Sequence, residues 1–221
     1  MGRTDYQRQL DELRANVVAM SDLVLERYDR ALDALESKDE ALARGIIEGD
    51  HEVNELYLEL EGDCIELFAL QQPVAGDLRF IASSFKIVTD LERIGDLAVN
   101  LAEHALAAER DRYPEVDVAT IGSETRSMVA DAMAAYEAGD ADAARKVAAR
   151  DDEVDRRCET VGEVVVADLL ETDYGEDAET VVDDASRLLL TIRDLERVGD
   201  HAVNICARTV YMVEHDDDLI Y

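Results

Sequence analysis

The stretch DLERIGDLAVN at residues 90–100 returns as DLERVGDHAVN at residues 194–204, with nine of eleven positions identical at an offset of 104. An eleven-residue word that includes Gly and Asn is hard to repeat by composition alone, so the chain reads as an internal duplication. Whatever fold one half adopts, the other must be able to adopt as well. A second aligned segment supports this: ALESKDEALARGIIEGDHEVN (34–54) matches AYEAGDADAARKVAARDDEVD (135–155) without gaps at eight of 21 positions. The period of about 100 residues points to a duplicated domain rather than a short-repeat solenoid. The expected halves are 1–113 and 114–221.

Each half reads as helix. With 48% apolar residues, two prolines and eleven glycines among 221 residues, long stretches are free of helix breakers and a sizeable core is within reach. Thr4-x-x-Gln7 predicts a capping box opening a helix to about Glu36, and Ser37-x-x-Glu40 a second one opening a helix to about Leu70. In that second helix Leu42, Ile46, Val53, Leu56, Leu60, Cys64 and Leu67 step by threes and fours, the spacing of bundle packing, with Gly49 filling one place. Pro73 and Gly76 predict a break before a third helix, Asp77 to about Arg112, which Tyr113-Pro114 ends. The cycle then restarts with a helix from about Asp117 to Ala138, a break at Gly139-Asp140, a helix to about Leu170, a break from Thr172 to Gly175 and a last helix to about Glu214. The expectation is all-α: two tandem three-helix bundles, six long helices.

The net charge of −31 with only three Lys (Lys38, Lys86, Lys146) among 22 basic residues resembles proteins of salt-in halophiles. There, acid keeps a chain hydrated in salt that screens repulsion within a few Å. No basic stripe is visible, which argues against nucleic acid as a ligand. Cys64, Cys158 and Cys206 are odd in number and lack CxxC spacing, so they read as small core residues rather than a disulfide or thiolate framework. No signal-like or membrane-spanning apolar run is present, and a cytoplasmic location is expected.

The repeated word carries a candidate site. On the third helix Leu91, Ile94, Ala98, Leu101 and Ala105 form the stripe facing the bundle, while Glu92, Asp96 and Asn100 step by four in a separate row. The last helix repeats the row as Glu196, Asp200 and Asn204. On the middle helices Asp50 with Asn54, and Asp151 with Asp155, stand four apart beside the apolar stripe. If the rows meet, each half gathers three or four carboxylates and one or two amides. Like charges stacked this way want a cation, and an all-oxygen set suits hard or borderline ions. Arg93 and Arg197 offer the alternative of neutralisation from within the chain. A solvated acidic surface is the plain alternative in a chain with 53 acids. Gly95 and Gly199, costly within helices, predict close approach of a neighbouring helix.

QQPVAGDLRFIASSFKIVTDLERIGDLAVNLAEHA (71–105), together with DLERVGDHAVNICARTV near the C-terminus, closely resembles the PhoU family of phosphate-uptake regulators, and the resemblance covers nearly the whole chain. It implies two similar three-helix bundles and an adaptor rather than an enzyme. Such an adaptor negatively modulates a Pst-type phosphate ABC transporter through its ATPase subunit, and signals to a sensor kinase where the host has one. It further implies a homodimer that meets the membrane only through the transporter. Metal clusters of the family's E(D)xxxD type would fall at Asp50/Asn54 with Glu92/Asp96, and at Asp151/Asp155 with Glu196/Asp200, with Asn100 and Asn204 as further ligands and iron, manganese, magnesium or zinc as candidate ions. Asn54 departs from the pattern and predicts a weaker first site. The rival reading is a carboxylate-bridged metal enzyme or iron store, which needs Glu-x-x-His on two helices. Only Glu48-x-x-His51 matches, while His104, and His201 beside Asp200, are further candidates for a metal shell. A scaffold without a signalling role is a third reading.

Overall fold

In the computed structural model, residues 3–70, 75–107, 113, 116–171 and 178–220 are described. The helices are α1 (Arg3–Ser37), α2 (Glu40–Glu48), α3 (His51–Leu70), α4 (Ala75–Ala107), α5 (Val118–Ala138), α6 (Ala141–Ala148), α7 (Asp151–Glu171) and α8 (Ala178–Glu214). The described chain is all-helical and forms six rods, as the two-bundle reading requires. The middle rod of each half is made of two segments, α2 with α3 and α6 with α7, separated by turns at residues 49–50 and 149–150. The predicted breaks at Pro73 and at Thr172–Gly175, and the helix end at Arg112, lie outside the described residues.

The start of α1 and the start of α2 depart from expectation. Thr4 lies inside α1 rather than capping it. Ser37 is the last residue of α1, and its hydroxyl donates back to the Asp33 carbonyl. The cap of α2 is Asp39, whose carboxylate accepts from the Ala41 and Leu42 amides at 2.9 and 3.0 Å. Asp140 caps α6 in the same way. A carboxylate two residues on outcompetes the serine because Lys38, at φ 54°, reverses the chain between them. Gly139, at φ 63°, holds the matching position in the second half.

The long helices α1, α4, α5 and α8 form a central bundle in which α4 packs on α8, α1 on α4, α5 on α8 and α1 on α5. The α2–α3 rod seals one flank against α1 and α4, and the α6–α7 rod seals the other against α5 and α8. One apolar core runs from Tyr6 to Val210 through both halves, and all three cysteines are buried and free. The stripe read from the sequence, Leu91, Ile94, Ala98, Leu101 and Ala105, is buried in full. No described helix is long and apolar enough to cross a membrane.

Candidate carboxylate sites on the two flanks

The breaks in the middle rods place the site acids. At each break the backbone tightens into three-residue turns: Glu52 and Val53 amides donate to Gly49 and Asp50 carbonyls, and Glu153 to Arg150. Asp50 and Asp151 thereby stand at the N-terminal ends of α3 and α7, where the helix dipole favours a carboxylate. This placement was hidden in the sequence, where each middle rod reads as one helix. Gly95 on α4 and Gly199 on α8 let the rods approach. A β-carbon at Gly95 would meet Val53 Cγ1 at 3.1 Å, and one at Gly199 would meet Asp151 Oδ1 at 3.0 Å.

In the second half Asp151, Asp155, Glu196 and Asp200 come together. Burial and the charges of Asp155, Asp200, Asp152 and Glu196 push the Asp151 carboxyl up to about 7. Burial and then Asp200 and Asp152 raise Asp155, while burial and then Asp155 and Asp200 raise Glu196. No cation figures in any of these shifts. Asp151 Oδ1 is enclosed and receives no hydrogen bond. Like charges close enough to perturb one another, with an oxygen lacking a donor, are the donor set a hard cation satisfies. No three of these carboxylates lie within 4.8 Å of one another; among the described residues only Asp216, Asp217 and Asp218 do so, consecutive acids near the C-terminus.

The first half is built differently. Asn54 donates to Asp50 Oδ2 at 2.9 Å. Arg27 of α1, 3% exposed, donates to the Gly49 and Ile46 carbonyls at 2.5 and 2.7 Å and stands 3.9 Å from Asp50 Oδ1. Asp50, Asp96 and Asn100 share a pocket of about 250 Å³ with Arg93 and Arg197. Burial is the main force raising Glu92 and Asp96; Asp96 and Asp50 raise Glu92 further and Asp50 raises Asp96, while Arg93 opposes the rise at Glu92 and Arg197 at Asp96. Internal neutralisation, one of the two readings open for the arginines, is thus found on this flank. At the offset of 101 the counterpart of Arg27 is the buried Met128, so the second set has no such cation. Applying the offset to residue 27 would have exposed this difference in the sequence alone.

Asn204 leaves its row. Its amide donates to Asp90 Oδ1 at 3.2 Å, across the contact between α4 and α8. His201 bonds the same oxygen at 2.9 Å, and Asp90 is 6% exposed. The partner aspartate of the repeat, Asp194, is 1% exposed and receives His104 at 3.1 Å and Arg193 at 3.2 Å. Burial raises Asp194, but the bonds from His104 and Arg193 outweigh it and hold the carboxyl below the usual range. Both histidines considered as ligands of a metal shell are therefore engaged in joining the two halves. His51 is exposed, its ring 3.3 Å from the Glu48 carbonyl, so the lone Glu-x-x-His pair lies on the surface and not in the bundle. Asp90 and Asp194 were legible as unusual: each opens the repeated word at a helical position shared with the apolar stripe.

A family model described as the PhoU domain matches this chain twice, at residues 17–105 and 118–209. A phosphate-specific transport system accessory protein PhoU homolog from Pseudomonas putida is 37% identical over 218 residues, covering 96% of this chain and 82% of the relative. One of the same description from Clostridium acetobutylicum is 33% identical, with 96% of each chain covered. The crystal structure of PhoU from Pseudomonas aeruginosa superposes with a TM-score of 0.89 at 33% identity, covering 96% of this chain and all of that one. The phosphate transport system regulatory protein PhoU from Streptococcus pneumoniae gives 0.87 at 30% identity, covering 96% and 98%.

Proposed function

This chain belongs to the PhoU family, and on that premise we propose that it regulates phosphate uptake, holding down a Pst-type phosphate ABC transporter through contact with the transporter's ATPase subunit. The observation that carries this reading is that both repeats match the family model and that solved PhoU chains superpose end to end. Relatives named as accessory proteins of phosphate-specific transport support it further. The reading is that of an adaptor working in the cytoplasm, as a homodimer, with a sensor kinase as a second partner where the host has one. Deleting the gene should raise phosphate uptake in phosphate-rich cells. Uptake unchanged in both rich and starved cells would refute the regulatory role, and tagged protein that retrieves no transporter ATPase in either condition would refute the proposed contact.

The second-half carboxylates fit a bound cation better than the first. Asp151, Asp155, Glu196 and Asp200 are the residues that would hold it, with iron, manganese, magnesium or zinc as candidates. Such an ion would supply positive charge to a set whose shifts, among the described residues, no cation opposes. In the first half Asp50, Asn54, Glu92, Asp96 and Asn100 already have Arg27, Arg93 and Arg197 beside them, so that set should be the weaker one. Elemental analysis should find a bound ion that Glu196→Ala with Asp200→Ala removes. The same metal content in the double variant would rule these residues out as ligands.

A further inference from the structure

The helix α3 is apolar on two opposite sides. Its inner side, with Val53, Leu60, Cys64 and Leu67, is buried as α3 packs on α1 and α4. On the outer side Leu58, Gly62, Ile65 and Ala69 step by four, three and four, and all are exposed, Leu58 at 63% and Ile65 at 55%. At about 100° per residue this row spans only about 60° around the helix, roughly opposite the buried side. A helix covering a core turns polar residues to solvent, so an apolar row facing water marks a surface that gains by being covered.

The charge around the row has one sign. No Lys or Arg occurs in α3, and of its six acids only Glu52 has an ion-pair partner among the described residues, Arg27 at 3.9 Å. Glu55, Glu59 and Glu66 border the row on one side and Glu61 on the other. Burial and then Glu59 and Glu66 raise the Asp63 carboxyl, and no cation opposes the rise. The duplicate helix α7 is built differently. The offset of 101 puts Glu159, Glu163, Val166 and Leu170 at the matching positions, so acid interrupts the row. Arg156 and Arg157 of α7 also pair within the chain, with Glu153 and Glu124. An uncharged row within a rim of unpaired acid thus belongs to the first half.

We infer that the outer face of α3 is a docking surface for a helix of a partner protein whose own apolar seam is flanked by Lys or Arg. Steps of four and three are the spacing at which two helices interlock side chains, and the charges beside such a seam select the partner. Gly62 leaves room for an incoming side chain, since a β-carbon there would meet nothing within 4 Å. A second copy of this chain is the poorer occupant. It would set acid against acid, and a row about 17 Å long offers far less than the roughly 800 Å² per partner of a stable interface. The contact is a transient one that opposite charge steers, and such a helix fits whichever protein carries it.

The probe is a labelled peptide of three heptads with Leu at a and d and Lys at e and g, titrated with the full chain and followed by fluorescence anisotropy. A cationic peptide is drawn to any acidic chain, so the comparison peptide keeps the Lys and carries Gln in place of Leu. The Leu peptide should bind at least about tenfold tighter than the Gln peptide, with amide NMR shifts centred on Leu58, Gly62 and Ile65. Leu58→Gln with Ile65→Gln changes exposed positions and no charge, and should remove that advantage. Glu55→Gln with Glu59→Gln and Glu66→Gln should weaken binding about tenfold. Equal binding of the two peptides, shifts centred elsewhere, or undiminished binding in either variant would each overturn the inference. So would a dimer of the chain alone that Leu58→Gln with Ile65→Gln dissociates, since a second copy would then occupy the face.

Discussion

The Asp151 carboxyl shows how one residue carries the electrostatics of a whole site. Its proton is held to about 7 by burial and by the neighbouring acids Asp155, Asp200, Asp152 and Glu196. In the unfolded chain the same carboxyl titrates near 4, so between those values the folded chain binds the extra proton. The contribution to stability is therefore full below about pH 4 and is lost as pH rises through 7. Asp151→Asn should match the parent near pH 4 and exceed it at pH 8 by on the order of 1 to 2 kcal/mol, less than the bare shift implies because solvent reaches part of the site. Chemical denaturation in a chelator at both pH values checks this, and parallel pH slopes for the two proteins would contradict it. The four acids of this set were legible as two rows at four-residue spacing. Their convergence was not, because it depends on α7 meeting α8 over Gly199.

Among the elements, the junctions between helices carry the most specific chemistry. Lys38 occupies a left-handed conformation that its counterpart Gly139 adopts without steric cost. Lys38→Gly should stabilise the chain by about 1 kcal/mol, read as a raised thermal midpoint. A lowered midpoint would mean that the lysine side chain matters more than its backbone. Asp39→Ala should cost about 1 kcal/mol through loss of the cap on α2, whereas Ser37→Ala should cost little. Equal effects from the two would restore the serine as the cap. The Ser37-x-x-Glu40 word predicts the serine as the cap, and the structure gives that place to Asp39. What decides between them is the chain reversal at Lys38, which no local propensity for lysine announces.

In the whole molecule the halves are joined by α4 against α8, and this contact contains buried carboxylates. Asp90 depends on His201 and Asn204 from the other half, and Asp194 on His104. His201→Leu, which installs the residue found at the matching position 97, should destabilise by about 2 to 3 kcal/mol because it strips a buried carboxylate of a partner. Adding Asp90→Asn should recover part of that loss, and a double-mutant cycle with no coupling between the two positions would refute the pairing. The same crossing brings Arg197 of the second half into the pocket of the first, beside Asp96. Each half thus completes its neighbour, although the sequence reads them as two copies of one unit.

The sequence by itself determined the helical class, the duplication, the buried stripe of the repeated word and the rows of acids beside it. These follow from spacing along a helix, which is a local property. Tertiary structure decided which charges meet. Arg27 lies 23 residues before Asp50 and His201 lies 111 after Asp90, and neither pairing has a local signature. Their partners are set by how α1 packs on the α2–α3 rod and by how α4 crosses α8. Burial then made the difference between the flanks: one set of carboxylates received arginines from within the chain, and the other has no cation among the causes of its shifts within the described residues.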